Sequence, residues 1–225
     1  MIETFPTAEA LADAAAREIA LRLIEALGER GRASLMATGG RSPGPVYDRL
    51  SDMELDWARV AVTLSDERCV PPDDPASNER LVRARLLRGR AAGARFLPLW
   101  PLPQPAELQA LMPFDAAMLG MGEDGHIASL LPGDPDLSAL LASKLPAAKV
   151  PAGVGNPPLP RVTLTLSALL ASRCVFLLIA GEAKRQVVSR ALAGEDLPVR
   201  ALIAPQGVTG TPVPVRIFWA PAHEG

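Results

Sequence analysis

A chain of 225 residues in which 48% are hydrophobic and 21% charged can bury one large core, and that balance excludes wholesale disorder. The 23 basic and 25 acidic residues leave a formal charge of −2, which excludes the basic field that carries nucleic-acid binding, and 4% aromatic residues leave little to stack on bases. Cys69 and Cys174 fit no paired zinc-ligand spacing and no apolar run reaches 18 residues, so the expectation is one cytoplasmic domain over residues 1–225, without metal or cofactor.

Residues 7–27 carry Ala8, Leu11, Ala12, Ala15, Ile19, Leu23 and Leu27 near helical spacing and predict a long opening helix, capped by Thr7 and stopped by Gly28. A short apolar strand at 33–37 breaks into Thr38-Gly39-Gly40-Arg41-Ser42-Pro43-Gly44, after which a helix begins near 46–50. The β-branched run 60–64 leads into Ser65-Asp66-Glu67-Arg68, and 77–87 reads as a helix capped by Ser77. A short strand at 95–99 and a short helix at 105–111 follow. The apolar run 116–119 is bounded by Gly120, Gly122 and Gly125, which frame Glu123, Asp124 and His126: a buried strand entering a glycine turn that presents a titratable group. Residues 134–160 are proline-punctuated and weakly patterned, with Lys144 and Lys149 expected at the surface. R-V-T-L-T-L at 161–166 alternates as a half-exposed strand does, 174–180 is a fully apolar strand that places Cys174 in the core, Gly181 to Lys184 open a helix to about 192, and 215–219 forms a last strand. The alternation predicts an α/β fold: a mainly parallel, Rossmann-like three-layer sheet of about six strands with flanking helices.

In such sheets ligands bind at the carboxyl ends of the strands, where these loops fall. The loop from Thr38 to Gly44 has the outline of a phosphate cradle, with glycine N–H groups ahead of a helix N-terminus; a simple tight turn is the alternative. It is neither a Walker loop nor a dinucleotide fingerprint. Arg68 could fork onto a phosphate with an acidic neighbour holding it, or form a surface salt bridge, and Lys184 could reach a ligand over the strand ends. An imidazole can take a proton from water near neutral pH, which makes His126 the candidate base; His223, in the tail, is expected to be solvated and frayed. No G-x-S-x-G elbow offers a serine nucleophile.

Taken in order, A-T-G-G-R-S-P (37–43), S-D-E-R-C-V-P-P-D-D-P-A-S-N (65–78), G-M-G-E-D-G-H-I-A-S-L-L-P-G (120–133), R-V-T-L-T-L (161–166) and G-E-A-K (181–184) resemble the 6-phosphogluconolactonase family, over about residues 6–220. The resemblance implies a fold shared with glucosamine-6-phosphate deaminases and ribose-5-phosphate isomerases, and metal-free cytoplasmic hydrolysis of 6-phosphogluconolactone in the oxidative pentose phosphate pathway. It further implies that Thr38, Gly39, Gly40, Arg41 and Ser42 hold the 6-phosphate, with Arg68 and Lys184 neutralising its charge. His126 would activate water, Asp66 would lie near the sugar hydroxyls or orient the site, and Asn78 belongs to the S-N pair after the arginine loop. Arg41 stands where a smaller polar residue is common, while Ser42 fills the usual hydroxyl place. Either Glu123 or Asp124 could orient His126. The expected partner is a small sugar-phosphate lactone, with no nucleic acid and no membrane, and the chain would be a monomer or weak homo-oligomer. Two alternatives are a deaminase or isomerase and a non-catalytic sugar-phosphate sensor. The deaminases continue from their histidine motif into F-N-E-P and carry D-E-Y, whereas here the chain reads Ser129-Leu130-Leu131-Pro132 and D-E-R.

Overall fold

The computed structural model describes residues 1–204 and 213–222, so the expectation for His223 falls outside the described residues. In chain order the elements are β1 (Ile2–Thr4), α1 (Ala8–Arg30), β2 (Ala33–Ala37), α2 (Pro43–Ser51), β3 (Val60–Leu64), β4 (Asp66–Arg68), α3 (Asn78–Arg85), β5 (Arg95–Phe96) and α4 (Pro105–Gln109). They continue with β6 (Ala116–Gly120), α5 (Leu137–Ala142), β7 (Ala147–Val150), β8 (Arg161–Leu164), α6 (Leu166–Leu170), β9 (Val175–Ala180), α7 (Glu182–Leu192), α8 (Pro198–Ile203) and β10 (Val215–Ala220).

A seven-stranded parallel sheet runs in the order β1-β10-β9-β6-β2-β3-β5, flanked by helices, and a smaller antiparallel sheet runs β4-β8-β7. The large sheet has one strand more than expected. β1 is only three residues long and pairs with β10 through Ile2 opposite Ile217, too short a run to show a period of its own. β2 is buried at every position and β9 at all but its last, which is why neither alternates: β9 is apolar throughout and β2 is apolar but for Ser34.

The opening helix differs from expectation at its end. Thr7 caps it by accepting from the Ala10 N–H, but the helix runs through Gly28 to Arg30 and stops at Gly31, whose φ of 67° only glycine adopts without strain. A glycine inside a helix costs about 1 kcal/mol, and burial of Leu11, Ala15, Ile19 and Leu23 outweighs it.

The expectation of a half-exposed strand at 161–166 is overturned: Arg161 to Leu164 are all buried. β8 is the central strand of the small sheet, so its alternation separates an apolar face from a polar face that is itself enclosed. The weakly patterned stretch before it contains α5 and β7, which proline punctuation conceals; Lys144 and Lys149 are exposed as expected. Among the described residues no helix is long and apolar enough to cross a membrane.

Strand order positions the chemistry. From β2 the chain adds β3 and β5 on one side, and from β6 it adds β9 and β10 on the other, so the switch point of the sheet lies between β2 and β6. A crevice opens at the carboxyl ends of strands on either side of such a point. The loop at Thr38 leaves β2 and the glycine turn leaves β6, while β3 and β9 beside them deliver Asp66 and Lys184.

Candidate active site

Those loops enclose one cavity of about 370 Å³, whose lining includes Thr38, Gly39, Gly40, Arg41, Ser42, Asp66, Arg68, Asn78, His126, Arg161 and Lys184. Every site residue expected from the sequence therefore lies on one wall or another of a single space.

The glycine loop is held from beneath by Tyr47, which is fully buried: its hydroxyl accepts from the Thr38 N–H at 2.8 Å and donates to the Thr38 carbonyl at 2.6 Å. The Thr38 hydroxyl accepts from Ser65 Oγ at 3.0 Å. Gly40 has φ of 98°, and α2 begins at Pro43 directly after Ser42, whose hydroxyl makes no cap to the helix. The start of α2, where Pro43 lines the cavity, brings the positive end of the helix dipole to this space, but Pro43 and Pro45 carry no N–H, so the backbone donors for an anion are those of the glycine loop before it.

Asp66-Glu67-Arg68 forms β4 in the small sheet, and the two-residue period of a strand divides its charges between faces. Glu67 turns away and accepts from the N–H groups of Arg68, Asn78 and Glu79 and from Ser77 Oγ, at 2.6 to 3.0 Å, so it holds the start of α3. Burial nevertheless pushes its carboxyl above the ordinary range. The neighbour expected to hold the Arg68 guanidinium is therefore not Glu67; Arg68 Nη1 donates instead to the Ala76 carbonyl at 2.7 Å and to Asn78 Oδ1 at 2.8 Å. The amide of Asn78 then reaches the Asp66 carbonyl at 2.8 Å and Oδ1 at 3.4 Å.

Asp66, 6% exposed, is enclosed by donors. Oδ1 accepts from Ser65 Oγ at 3.1 Å, Oδ2 accepts from Ser129 Oγ at 2.6 Å, and Arg161 Nη1 lies 3.9 Å from Oδ2. Ser129 follows Ala128, which sits at φ of 49°, a conformation costing a non-glycine residue about 1–2 kcal/mol. That local strain accompanies the turn that brings Ser129 onto Asp66.

His126 lies in the turn closed by Gly122 N–H to the His126 carbonyl and by Gly125 N–H to the Gly122 carbonyl. Its ring is 33% exposed, and Nδ1 stands 2.6 Å from Asp124 Oδ1. Asp124, not Glu123, is the carboxylate on the imidazole. With Nδ1–H donated to Asp124, Nε2 is the nitrogen free to accept a proton. Lys184, near the start of α7, is held below its ordinary value chiefly by burial, against the opposing charge of Glu123.

Sequence reasoning missed Arg161, which is 3% exposed and heads the polar face of β8. Its Nη1 reaches Ser129 Oγ at 3.4 Å and its Nη2 the Pro157 carbonyl at 2.8 Å. The signal was present as an arginine opening an alternating run whose other polar members are Thr163 and Thr165, but alternation alone cannot say whether the polar face meets water or a site. Among the described residues no group of three His, Cys, Asp or Glu side chains is arranged to hold a metal ion.

The turn supplies a local test. A Cβ on Gly122 would overlap both Asp124 Oδ1 and the His126 ring, whereas one on Gly120, two residues earlier, would meet nothing. Gly122→Ala is expected to abolish most of whatever activity this site supports and Gly120→Ala to retain it, at unchanged fold by circular dichroism; equal activities would mean that the Asp124–His126 geometry is immaterial.

Comparison with known proteins places the chain among relatives of matching length. Residues 6–211 match the family described as glucosamine-6-phosphate isomerases/6-phosphogluconolactonase. The chain is 40% identical to a 6-phosphogluconolactonase of Caulobacter vibrioides, covering 97% of each chain, and 38% identical to one of Rhizobium meliloti, covering 96% of this chain and 97% of that one. The crystal structure of a 6-phosphogluconolactonase from Shewanella baltica superposes with a TM-score of 0.88 at 37% identity, over 98% of this chain and 97% of that one.

Proposed function

The chain belongs to the glucosamine-6-phosphate isomerase/6-phosphogluconolactonase family, and from that premise we infer that it hydrolyses 6-phospho-D-glucono-1,5-lactone to 6-phospho-D-gluconate, the lactone-opening step of the oxidative pentose phosphate pathway. The observation that carries the catalytic reading is the Asp124–His126 pair facing a glycine loop, Arg68 and Lys184 across one cavity. That pairing joins a base to an anion cradle, which is what a phosphorylated ester requires.

In this reading the 6-phosphate lies against the N–H groups of Gly39 and Gly40 and the hydroxyls of Thr38 and Ser42, near the positive end of the α2 dipole, with Arg41, Arg68 and Lys184 supplying positive charge. Arg68 and Arg161 each keep a buried Nε without a hydrogen-bond partner among the described residues. An unmade buried hydrogen bond costs about 1–3 kcal/mol, so substrate oxygens within their reach relieve a cost the free site carries. Asp66, fixed by Ser65, Asn78 and Ser129, accepts a sugar hydroxyl on its remaining capacity and orders the wall.

His126 takes a proton from water through Nε2 as the water oxygen attacks the ring carbonyl, and Asp124 steadies the imidazolium that forms. The resulting tetrahedral oxyanion collapses with cleavage of the bond between the carbonyl carbon and the ring oxygen. The ring oxygen receives the proton back from His126 and becomes the free hydroxyl of the open acid. A lactone is already an activated ester, so no covalent nucleophile is needed.

Ser129 favours hydrolysis over amino-sugar chemistry. It is wholly buried and committed to Asp66, and no carboxylate follows it where F-N-E-P would supply one. The reading is of one domain over residues 1–225, cytoplasmic, acting as a monomer or weak homo-oligomer on a small sugar-phosphate lactone without metal or cofactor.

The pH profile of kcat/KM tests the base and the cradle together. Activity is expected to fall on the acid side, because the protonated ring cannot accept from water. On the alkaline side it is expected to fall as Lys184 loses its proton, at a pH below the ordinary lysine value of 10.5 because burial already favours the neutral amine. A profile flat from about pH 5 to pH 8 would remove His126 from its role.

A further inference from the structure

A second, larger cleft of about 450 Å³ lies at the opposite end of the large sheet, where its strands begin. Its lining includes the first residues of β2, β3 and β5, together with Asp115 just before β6 and Arg173 just before β9. β2 has five residues, so at ~3.3 Å per residue the two ends stand on the order of 17 Å apart.

Five guanidiniums converge here: Arg30, Arg32, Arg59, Arg95 and Arg173. Asp115, buried at the floor, pins two of them, Arg30 at 2.6 Å and Arg173 at 3.2 Å. Its other oxygen accepts from the Ser34 N–H at 2.9 Å, so this carboxylate is satisfied by the wall of the cleft itself. Arg30 also meets Glu29 at 2.5 Å and Arg59 meets Asp56 at 3.2 Å, both carboxylates largely exposed at the rim. Arg32 and Arg95 form no ion pair among the described residues, and the set holds two more guanidiniums than carboxylates. In a chain of net charge −2 this is a built concentration of positive charge, remote from the cavity described above.

We propose that this cleft is a second anion site, which takes a small molecule carrying two phosphoryl groups. The planar forks of arginine match phosphoryl oxygens, two anionic groups match the unpaired Arg32 and Arg95, and the volume suits a small metabolite. The acidic balance of the whole chain opposes a nucleic-acid polymer at the same place.

The probe is inorganic pyrophosphate, titrated into the ¹⁵N-labelled protein and followed by backbone amide shifts. The wild type is expected to show two saturating groups of shifts: one in the glycine loop at 38–42, and one at residues 32–34, 59–61 and 95. In Arg32→Glu/Arg95→Glu, both exposed positions, the second group is expected to need at least tenfold more pyrophosphate while the first titrates as before. Shifts confined to the glycine loop, or a second group unchanged in the double variant, would overturn the proposal.

Discussion

His126→Ala is expected to lower kcat for opening of 6-phosphogluconolactone by about 10²–10⁴-fold, the contribution of a positioned general base. KM should change little, because the imidazole is assigned to the water and the cradle to the phosphate. Rate above the uncatalysed opening should survive in the variant, since cavity, cradle and polar wall still bind and orient the lactone. The same loss is expected with glucono-1,5-lactone, which lacks the phosphate, because the reacting carbonyl is common to both. Asp124→Asn should lose less than His126→Ala: Asp124 is 53% exposed, and water moderates its hold on the ring. Steady-state kinetics on both lactones measure this, and a His126→Ala variant within a few-fold of wild type would exclude the imidazole as base.

Arg68→Ala is expected to act on the other half of the site. A hydrogen bond to a charged group contributes about 1.5–3 kcal/mol, so its loss should raise KM for the phosphorylated lactone by roughly 10- to 150-fold. With glucono-1,5-lactone the variant and wild type should be nearly equal, since there is no phosphate to miss. Arg68 also donates to Asn78, which in turn holds Asp66, and that gives the experiment its edge. If activity on both lactones falls together, Arg68 acts by positioning Asp66 and not by binding phosphate.

What the sequence made legible followed from periodicity and punctuation. β2, β3, β6 and β9 are mostly apolar runs that give way to glycine or charged residues, and each was readable because burial on both faces leaves at most one polar residue, Ser34 in β2 and Thr63 in β3. What was not readable depended on partners distant in sequence. The exposure of 161–166 is set by β4 and β7 on either side of β8, and nothing within the run records that pairing. For the same reason Arg161 escaped notice, although its neighbours in space, Asp66 and Ser129, were both in view. The choice between Glu123 and Asp124 was a matter of side-chain direction within a turn, which spacing does not determine. Gly28 misled because a glycine ends a helix only where the chain must turn left-handed, and that position is Gly31.

The most direct measurement of the central claim is the rate at which enzymatically generated 6-phosphogluconolactone opens in the presence of catalytic amounts of the protein, against its spontaneous rate, with glucosamine 6-phosphate as the control substrate. Marked acceleration of lactone opening with no turnover of the amino sugar is the predicted result. Lactone opening at the spontaneous rate would contradict the account, and turnover of glucosamine 6-phosphate in its place would assign the site to the other activity of the family.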